Sequence, residues 1–110
     1  NSILKLKLCY MNQSKFSLGQ TVMSRSIADL VGVSDKFSSF VMKCLFRHKS
    51  CNWGDLDPED IESNNLALEY GSRILSSYNI PFSFGFDESK VWIITEADRS
   101  VTTILFPSDY

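Results

Sequence analysis

The chain has 110 residues and a net charge of −2, with 44% hydrophobic and 22% charged residues. This length predicts one domain, because most domains have about 100–150 residues. The slight acidity argues against a strongly electrostatic nucleic-acid binder, which usually carries a basic patch. No run of about 18 apolar residues is present, so we expect no membrane-spanning helix. The three cysteines include no CxxC pair, a pattern typical of a reduced protein, and we therefore expect a cytoplasmic location.

Leucine and lysine alternate near the start of the chain, over Ser2–Tyr10. A period of two predicts a strand with a leucine face and a lysine face, which suits the edge of a sheet. A flexible arm with a few leucines would have the same composition. We therefore divide the chain into an N-terminal strand or flexible arm, residues 1–15, and a single domain, residues 16–110. Edge-to-edge pairing through the first segment would also permit a homodimer.

A short strand and two helices are predicted next. Gln20–Met23 predicts the strand, and Ser24 or Ser26 then caps a short helix that we expect to end at Gly32. Over about Asp35–His48 the apolar residues recur at helical spacing on one face, which indicates an amphipathic helix. Its apolar face requires a sheet to pack against.

The following segment predicts one more helix and a strand. Asp57 at the cap and Pro58 at the first helical position favour a helix start. We expect this helix to run to about Tyr70 and to end at Gly71, with Ile61, Ala67 and Leu68 on its inward side. Alternating residues over Arg73–Ile80 then predict a strand.

The chain closes with a β-hairpin. Two runs of β-branched and aromatic residues, Val91–Thr95 and Val101–Phe106, flank the short connection Glu96–Ser100, and such a connection makes the strands antiparallel. The predicted fold is therefore α+β. We expect two layers: an antiparallel sheet of three to five strands, ending in a C-terminal meander, and two or three helices packed on one face of it.

Four segments form a distinctive set: Trp53–Gly54–Asp55, Gly71–Tyr78, Trp92–Ser100 and Thr103–Pro107. Together they resemble a family of small bacterial proteins found on plasmids and other mobile elements, and the resemblance covers about residues 16–110. It implies a one-domain protein of a mobile genetic element. By analogy of genetic context, it also implies a role in modulating a host defence complex such as restriction or CRISPR machinery. The resemblance supplies no catalytic residues.

One histidine and several charged side chains are the candidates for catalysis. His48 with the carboxylates of Asp55, Glu96 and Asp98 offers general acid–base chemistry, and the Arg99 guanidinium offers a phosphate contact. The structural alternative is that Asp98 closes the hairpin turn and Arg99 pairs nearby. The sequence contains no nucleophile-with-base pattern, phosphate loop or dinucleotide fingerprint, so we favour a protein that is not an enzyme.

Two groups of residues have the chemistry of metal ligands. Cys44, His48 and Cys51 are suited to zinc, but they lack the paired spacing of zinc sites, and Cys44 also fits the apolar stripe of its helix. The second group consists of four acids around a predicted helix start: Asp55, Asp57, Glu59 and Asp60. Carboxylates bind Mg²⁺ or Ca²⁺, but this spacing is not that of an EF-hand, and acids are favoured at a helix N-terminus by its dipole. We therefore predict no metal and no cofactor.

The candidates for binding are aromatic and basic. Phe82, Phe84 and Phe86 alternate in the connection before the hairpin, and would form an apolar patch for a protein partner if they are exposed. The alternative is another strand that faces the core. Trp53, in the Trp–Gly–Asp loop, and Arg73 complete the set.

These observations favour a small non-enzymatic protein-binding module of a mobile genetic element, possessing a protein partner and no membrane association. A hydrolase or nuclease-like enzyme built on His48 and the carboxylates is the first alternative. A nucleic-acid-binding accessory protein is the second, and it would use five basic residues: Arg25, Arg47, Lys49, Arg73 and Arg99.

Overall fold

The computed structural model describes residues 16–110. The alternating leucine–lysine segment, and with it the predicted N-terminal strand or arm, lies outside the described residues. Within residues 16–110 the strands are β1 (Gln20–Met23), β2 (Ile74–Asn79), β3 (Lys90–Thr95) and β4 (Val101–Leu105), and the α-helices are α1 (Arg25–Val33), α2 (Asp35–Lys49) and α3 (Pro58–Tyr70). Short 3₁₀ turns occupy Phe82–Phe84 and Pro107–Asp109.

The α+β prediction is confirmed. The strands form one sheet in the order β1-β4-β3-β2, and β2, β3 and β4 are the predicted antiparallel meander. β1 differs from the expectation because it pairs parallel to β4, so the sheet is mixed. The physical reason is the long connection between β1 and β2. Three helices lie along it, and a crossover of that length lets the first strand join the far edge of the sheet in the parallel sense.

Capping side chains determine where the helices begin. The hydroxyl of Ser24 accepts a hydrogen bond from the backbone N–H of Ile27 at 3.3 Å, and the hydroxyl of Ser34 accepts one from Phe37 at 3.1 Å. The predicted end of α1 at Gly32 is wrong by one residue. The helix continues to Val33, because Ser34 closes α1 through its backbone N–H while its side chain opens α2.

The third helix begins and ends where the sequence predicts. The Asp57 carboxylate accepts a hydrogen bond from the backbone N–H of Asp60 at 2.9 Å, and Pro58 occupies the first turn. Gly71 ends the helix with φ 75°, in the left-handed region where glycine has no steric cost. On the inward side, Ala67 is buried as predicted, and the second buried residue of the helix is a polar one, Asn64.

The main core lies between the helices and one face of the sheet. Ten buried residues form it: Ile27, Phe37, Val41, Cys44, Tyr78, Ile80, Val91, Ile93, Ile104 and Phe106. The apolar stripe of α2 supplies three of them, which confirms the amphipathic prediction. A second cluster, formed by Phe16, Trp53, Ala67 and Ile74, lies next to it. His48 lies at the end of the α2 stripe, in ring contact with the second cluster.

Candidate functional site

The most prominent polar feature of the described chain is a hydrogen-bonded row around His48. The ring is 0% exposed, and it reaches the sheet from the last turn of α2. Nδ1 lies 2.5 Å from the hydroxyl of Ser76 on β2, and Nε2 lies 2.9 Å from the hydroxyl of Thr95 on β3. The Thr95 hydroxyl lies 2.8 Å from that of Thr102 on β4, which contacts the backbone carbonyl of Leu18 at 2.6 Å. The row therefore joins α2 to three strands and to the segment before β1.

The carbonyl at the end of this row fixes the direction of every hydrogen bond in it. A carbonyl oxygen only accepts, so Thr102 donates to Leu18 and must accept from Thr95. The Thr95 proton is then used, so Thr95 accepts from Nε2–H of His48. Nδ1 is therefore the unprotonated nitrogen, and Ser76 donates to it. This assignment gives one tautomer of His48, neutral and with both nitrogens hydrogen-bonded.

Burial keeps this histidine neutral. Loss of hydration, and secondly the positive charge of Arg99, lower the pKa of His48 from 6.5 to about 3. The rings of Phe16 and Trp53 pack edge-on against the imidazole, at centroid distances of 5.7 Å and 5.9 Å. The Ser76–His48 pair has the elements of a nucleophile and its base, but both side chains are 0% exposed, so no substrate can reach them in this conformation.

The other candidate catalytic residues make no hydrogen bond to this row: Glu96, Asp98 and Arg99 share the hairpin turn, and Asp55 lies at the edge of β2. Asp98 closes the hairpin turn: its carboxylate accepts hydrogen bonds from the backbone N–H of Ser100 at 3.0 Å and from its hydroxyl at 2.6 Å. These bonds lower the pKa of Asp98. Glu96 enters the same turn through its backbone, with its carbonyl accepting from the N–H of Arg99 at 2.9 Å.

Arg99 closes the C-terminal end of α3. Its guanidinium donates to the backbone carbonyls of Ala67 at 3.0 Å, Ser72 at 2.7 Å and Glu96 at 3.1 Å. Cations are favoured at the negative end of a helix dipole. Arg99 itself has φ 61°, an uncommon left-handed conformation for a residue other than glycine. The hairpin tip and α3 are thus joined through one side chain.

The Trp–Gly–Asp loop covers the outer edge of β2. Ser77 donates its N–H to the carbonyl of Trp53 at 3.1 Å and accepts from the N–H of Asp55 at 2.6 Å. The Asp55 carboxylate accepts from the N–H of Asn79 at 2.9 Å. Trp53 itself is buried, and its indole N–H donates to Asn65 at 3.0 Å. The loop therefore protects an edge that could otherwise pair with another chain.

A buried amide completes the cover of this edge. Asn64 donates to the carbonyl of Leu75 at 2.6 Å and accepts from its N–H at 3.2 Å. It sits on the inward side of α3, where sequence periodicity indicates apolar residues. The periodicity of the sequence therefore does not identify Asn64 as a buried residue. Once buried, its amide must be hydrogen-bonded at both ends, and the backbone of Leu75 meets that need.

Four of the candidate metal ligands have other contacts. Both nitrogens of His48 face hydroxyl groups. Cys44 is buried in the core, and burial raises the pKa of its thiol to about 12. Asp57 caps α3 and Asp55 bonds to β2. Among residues 16–110 no three His, Cys, Asp or Glu side chains are grouped so as to hold a metal ion.

The three alternating phenylalanines divide into two environments. Phe84 and Phe86 are half-buried and pack against Phe40 and Phe37, at centroid distances of 5.9 Å and 5.5 Å. Phe82 is fully exposed, at 101%. Phe82–Phe84 is a 3₁₀ turn and not a strand, so the even spacing of the three rings does not place them on one face.

The predicted basic residues are also distributed over different elements. Arg73 donates to the hydroxyl of Tyr110 at 2.9 Å, and Arg47 stacks over the ring of Tyr78 with its guanidinium carbon 4.8 Å from the ring centroid. Lys49 ends α2 and Arg25 begins α1, and both are exposed.

The outward side of α2 is a surface that the predictions from sequence do not include. Met42 and Phe46 are 61% and 60% exposed, and their spacing of four residues makes them neighbours on the helix. Lys43 and Arg47 lie beside them and line the same shallow, mostly apolar surface. We call these four residues the α2 face. The sequence signal for this surface is the apolar pair Met42 and Phe46, which lie at helical spacing on the side of α2 opposite the buried stripe.

Within residues 16–110, no helix combines the length and apolar character that crossing a membrane requires. Comparison of the chain with protein-family models, with curated proteins and with solved structures found no match. The resemblance to a family of plasmid proteins is therefore untested and stays a prediction.

Proposed function

We propose that this chain is a non-enzymatic protein-binding module whose partner docks on the α2 face. The observation that carries the proposal is the exposure of Met42 and Phe46, which together place a methionine and a phenylalanine side by side in solvent. Aromatic side chains and methionine are enriched where proteins bind one another. A helix whose opposite stripe already fills the core does not need this second apolar pair to fold.

The surroundings of His48 support a module without catalysis. A general base must reach the proton that it abstracts, and the imidazole is 0% exposed behind Phe16 and Trp53. Its pKa of about 3 is far from neutral pH, where catalytic groups are usually poised. The hydrogen bonds of Arg99 and Asp98 serve the backbone. Structural roles therefore account for these side chains without any catalytic role.

The charges of the α2 face indicate the chemistry of the partner. Lys43 and Arg47 flank the apolar pair, so an amphipathic segment with acidic residues would bury Met42 and Phe46 and meet both cations. The chain's own residues 1–15 contain three lysines and no acidic residue. They therefore lack the charge that this face favours, and we propose a partner from outside that segment.

The setting in a mobile genetic element, and the modulation of a host defence complex, are part of the proposal through the sequence resemblance alone. These two statements propose the identity of the acidic partner. The α2 face is a separate proposal for the surface that binds it, so the two are tested by different experiments.

Selection from a random displayed peptide library tests the binding proposal, because it requires no named partner. We expect enriched peptides to combine acidic residues with apolar residues three or four positions apart. Their binding should be lost with Phe46→Asp and weakened about tenfold with Lys43→Glu.

Phe82→Asp is the matched control, because it makes the same change at a fully exposed phenylalanine outside the α2 face. It should leave binding intact. The assignment of the binding site to the α2 face is wrong if Phe82→Asp abolishes peptide binding while Phe46→Asp does not. The binding-module proposal fails if no peptide is enriched over an unrelated protein.

A further inference from the structure

The outward side of α3 carries a second exposed apolar pair. Leu66 and Tyr70 are 48% and 73% exposed and four residues apart. Glu62 lies one turn before Leu66 and Glu69 lies one turn after it, and both are exposed. We call these four residues the α3 face. It has the composition that the α2 face favours in a partner: an amphipathic helix with two neighbouring apolar side chains and two carboxylates.

We infer that the α2 face of one copy of this chain docks on the α3 face of a second copy, an inference that rests on the proposed function. Lys43 and Arg47 would meet Glu62 and Glu69, while the two apolar pairs cover each other. Like faces are disfavoured, since two α2 faces would oppose cations and two α3 faces would oppose carboxylates. Charge complementarity therefore selects one arrangement of the copies.

Three of the four charged side chains are available for this contact. The side chains of Lys43, Glu62 and Glu69 make no hydrogen bond or ion pair within residues 16–110. Arg47 stacks over Tyr78 and donates to Asn52 at 3.3 Å, so its pairing with a second copy would compete with those contacts. The charges are spaced by about 6 Å along α2 and by about 10 Å along α3, at 1.5 Å of rise for each residue. Long lysine and arginine side chains span that difference.

The contact joins two different surfaces, and each copy carries one of each. Such a contact closes into a two-fold dimer only if both faces lie on the same side of the molecule, and otherwise it extends into rings or open chains. Two short helix faces bury less than the roughly 1,200–2,000 Å² of a stable interface. We therefore expect weak association that grows with protein concentration and falls with salt, because screening shortens to a few ångströms near 1 M salt.

Sedimentation velocity of the full chain with two blocked variants tests the arrangement. The first variant, Lys43→Glu with Phe46→Asp, blocks the α2 face. The second, Leu66→Ser with Glu69→Ser, blocks the α3 face without making it basic, so it creates no new pairing with the acidic surface of the first variant. Each variant alone should be monomeric where the unaltered chain associates. Their mixture should form a one-to-one dimer and nothing larger, because only one complementary pair of faces remains.

Controls separate docking from folding and from net charge. Arg25→Glu and Asp29→Lys, made as separate variants, shift the net charge by −2 and +2 at exposed positions of α1, and each should leave self-association unchanged. Circular dichroism and thermal unfolding establish that each variant is folded. If a blocked variant is unfolded, the milder changes Lys43→Gln and Glu69→Gln replace it. Each should weaken self-association severalfold.

Three results would overturn the inference: a monomeric chain at about 1 mM protein and low salt, self-association of either folded blocked variant, or a mixture that forms no dimer. The proposed function survives any of these if displayed acidic peptides still bind in a Phe46-dependent way. If neither self-association nor peptide binding depends on the α2 face, it is not a docking surface.

Discussion

Acid should weaken this fold through its only histidine. His48 is neutral and buried, and each of its nitrogens is hydrogen-bonded to a hydroxyl group. Protonation would place a cation in the core and would require Nδ1 to donate where it now accepts. In the unfolded chain the same ring is hydrated and binds a proton near pH 6.5. Acidification therefore favours the unfolded state.

The size of the effect follows from the pKa of His48, which folding lowers from 6.5 to about 3. Between those values the unfolded chain holds one more proton than the folded chain, so the free energy of unfolding falls by about 1.4 kcal/mol for each pH unit. The contribution to stability is complete above pH 6.5 and is lost as the pH falls toward 3. The loss is about 2 kcal/mol from pH 7 to pH 5, a large part of a typical total of about 5–15 kcal/mol.

Urea unfolding at several values between pH 5 and 7 measures this loss, with His48→Gln as the matched control. Glutamine can accept from Ser76 and donate to Thr95, but it does not titrate. The variant should be less stable at pH 7 by about 1–2 kcal/mol, and the difference should shrink by about 2 kcal/mol at pH 5. Carboxylates titrate in both proteins and cancel in the comparison. Parallel pH profiles for the two proteins would refute the neutral, buried assignment of His48.

Two further predictions concern the loop and the hairpin tip. Gly54→Ala should destabilise the fold by about 3 kcal/mol or more, because its Cβ would lie 2.1 Å from a backbone oxygen. Gly71→Ala is the control, because φ is similarly positive but no atom lies within 4 Å of the added Cβ. It should lower the free energy of unfolding by only about 1 kcal/mol. Equal losses of stability for the two variants in thermal or urea unfolding would disprove the clash. Arg99→Ala should cost about 2 kcal/mol and Arg99→Lys nearly as much, because three carbonyls receive hydrogen bonds from one guanidinium. Arg25→Ala should be near neutral, and full rescue by lysine would show that charge alone suffices.

Local interactions could be read from the sequence because they act within a few residues. Ser34, Asp57 and Gly71 control the ends of helices through bonds to residues no more than four positions away. The closing hairpin follows from two β-branched runs and a short turn. These elements, and the α+β fold that they form, were predictable from the sequence.

The candidate site was predictable only in part. The spacing of α2 placed His48 on the buried stripe, but its partners Ser76 and Thr95 lie 28 and 47 residues away. No local pattern marks a serine or a threonine as the partner of a distant histidine. The two exposed helix faces were not predicted, because which side of each helix faces solvent depends on packing.

Short stretches of the sequence were enough to set the ends of most helices, the meander and the apolar stripe of α2, since capping, turn chemistry and periodicity are local properties. Tertiary packing was needed to establish that β1 lies parallel to β4, that Arg99 closes α3, and that His48 is a buried, neutral link between helix and sheet. Each of these joins residues far apart in the chain. The free energy that selects them comes from packing and from satisfying buried polar groups, and both depend on the whole fold.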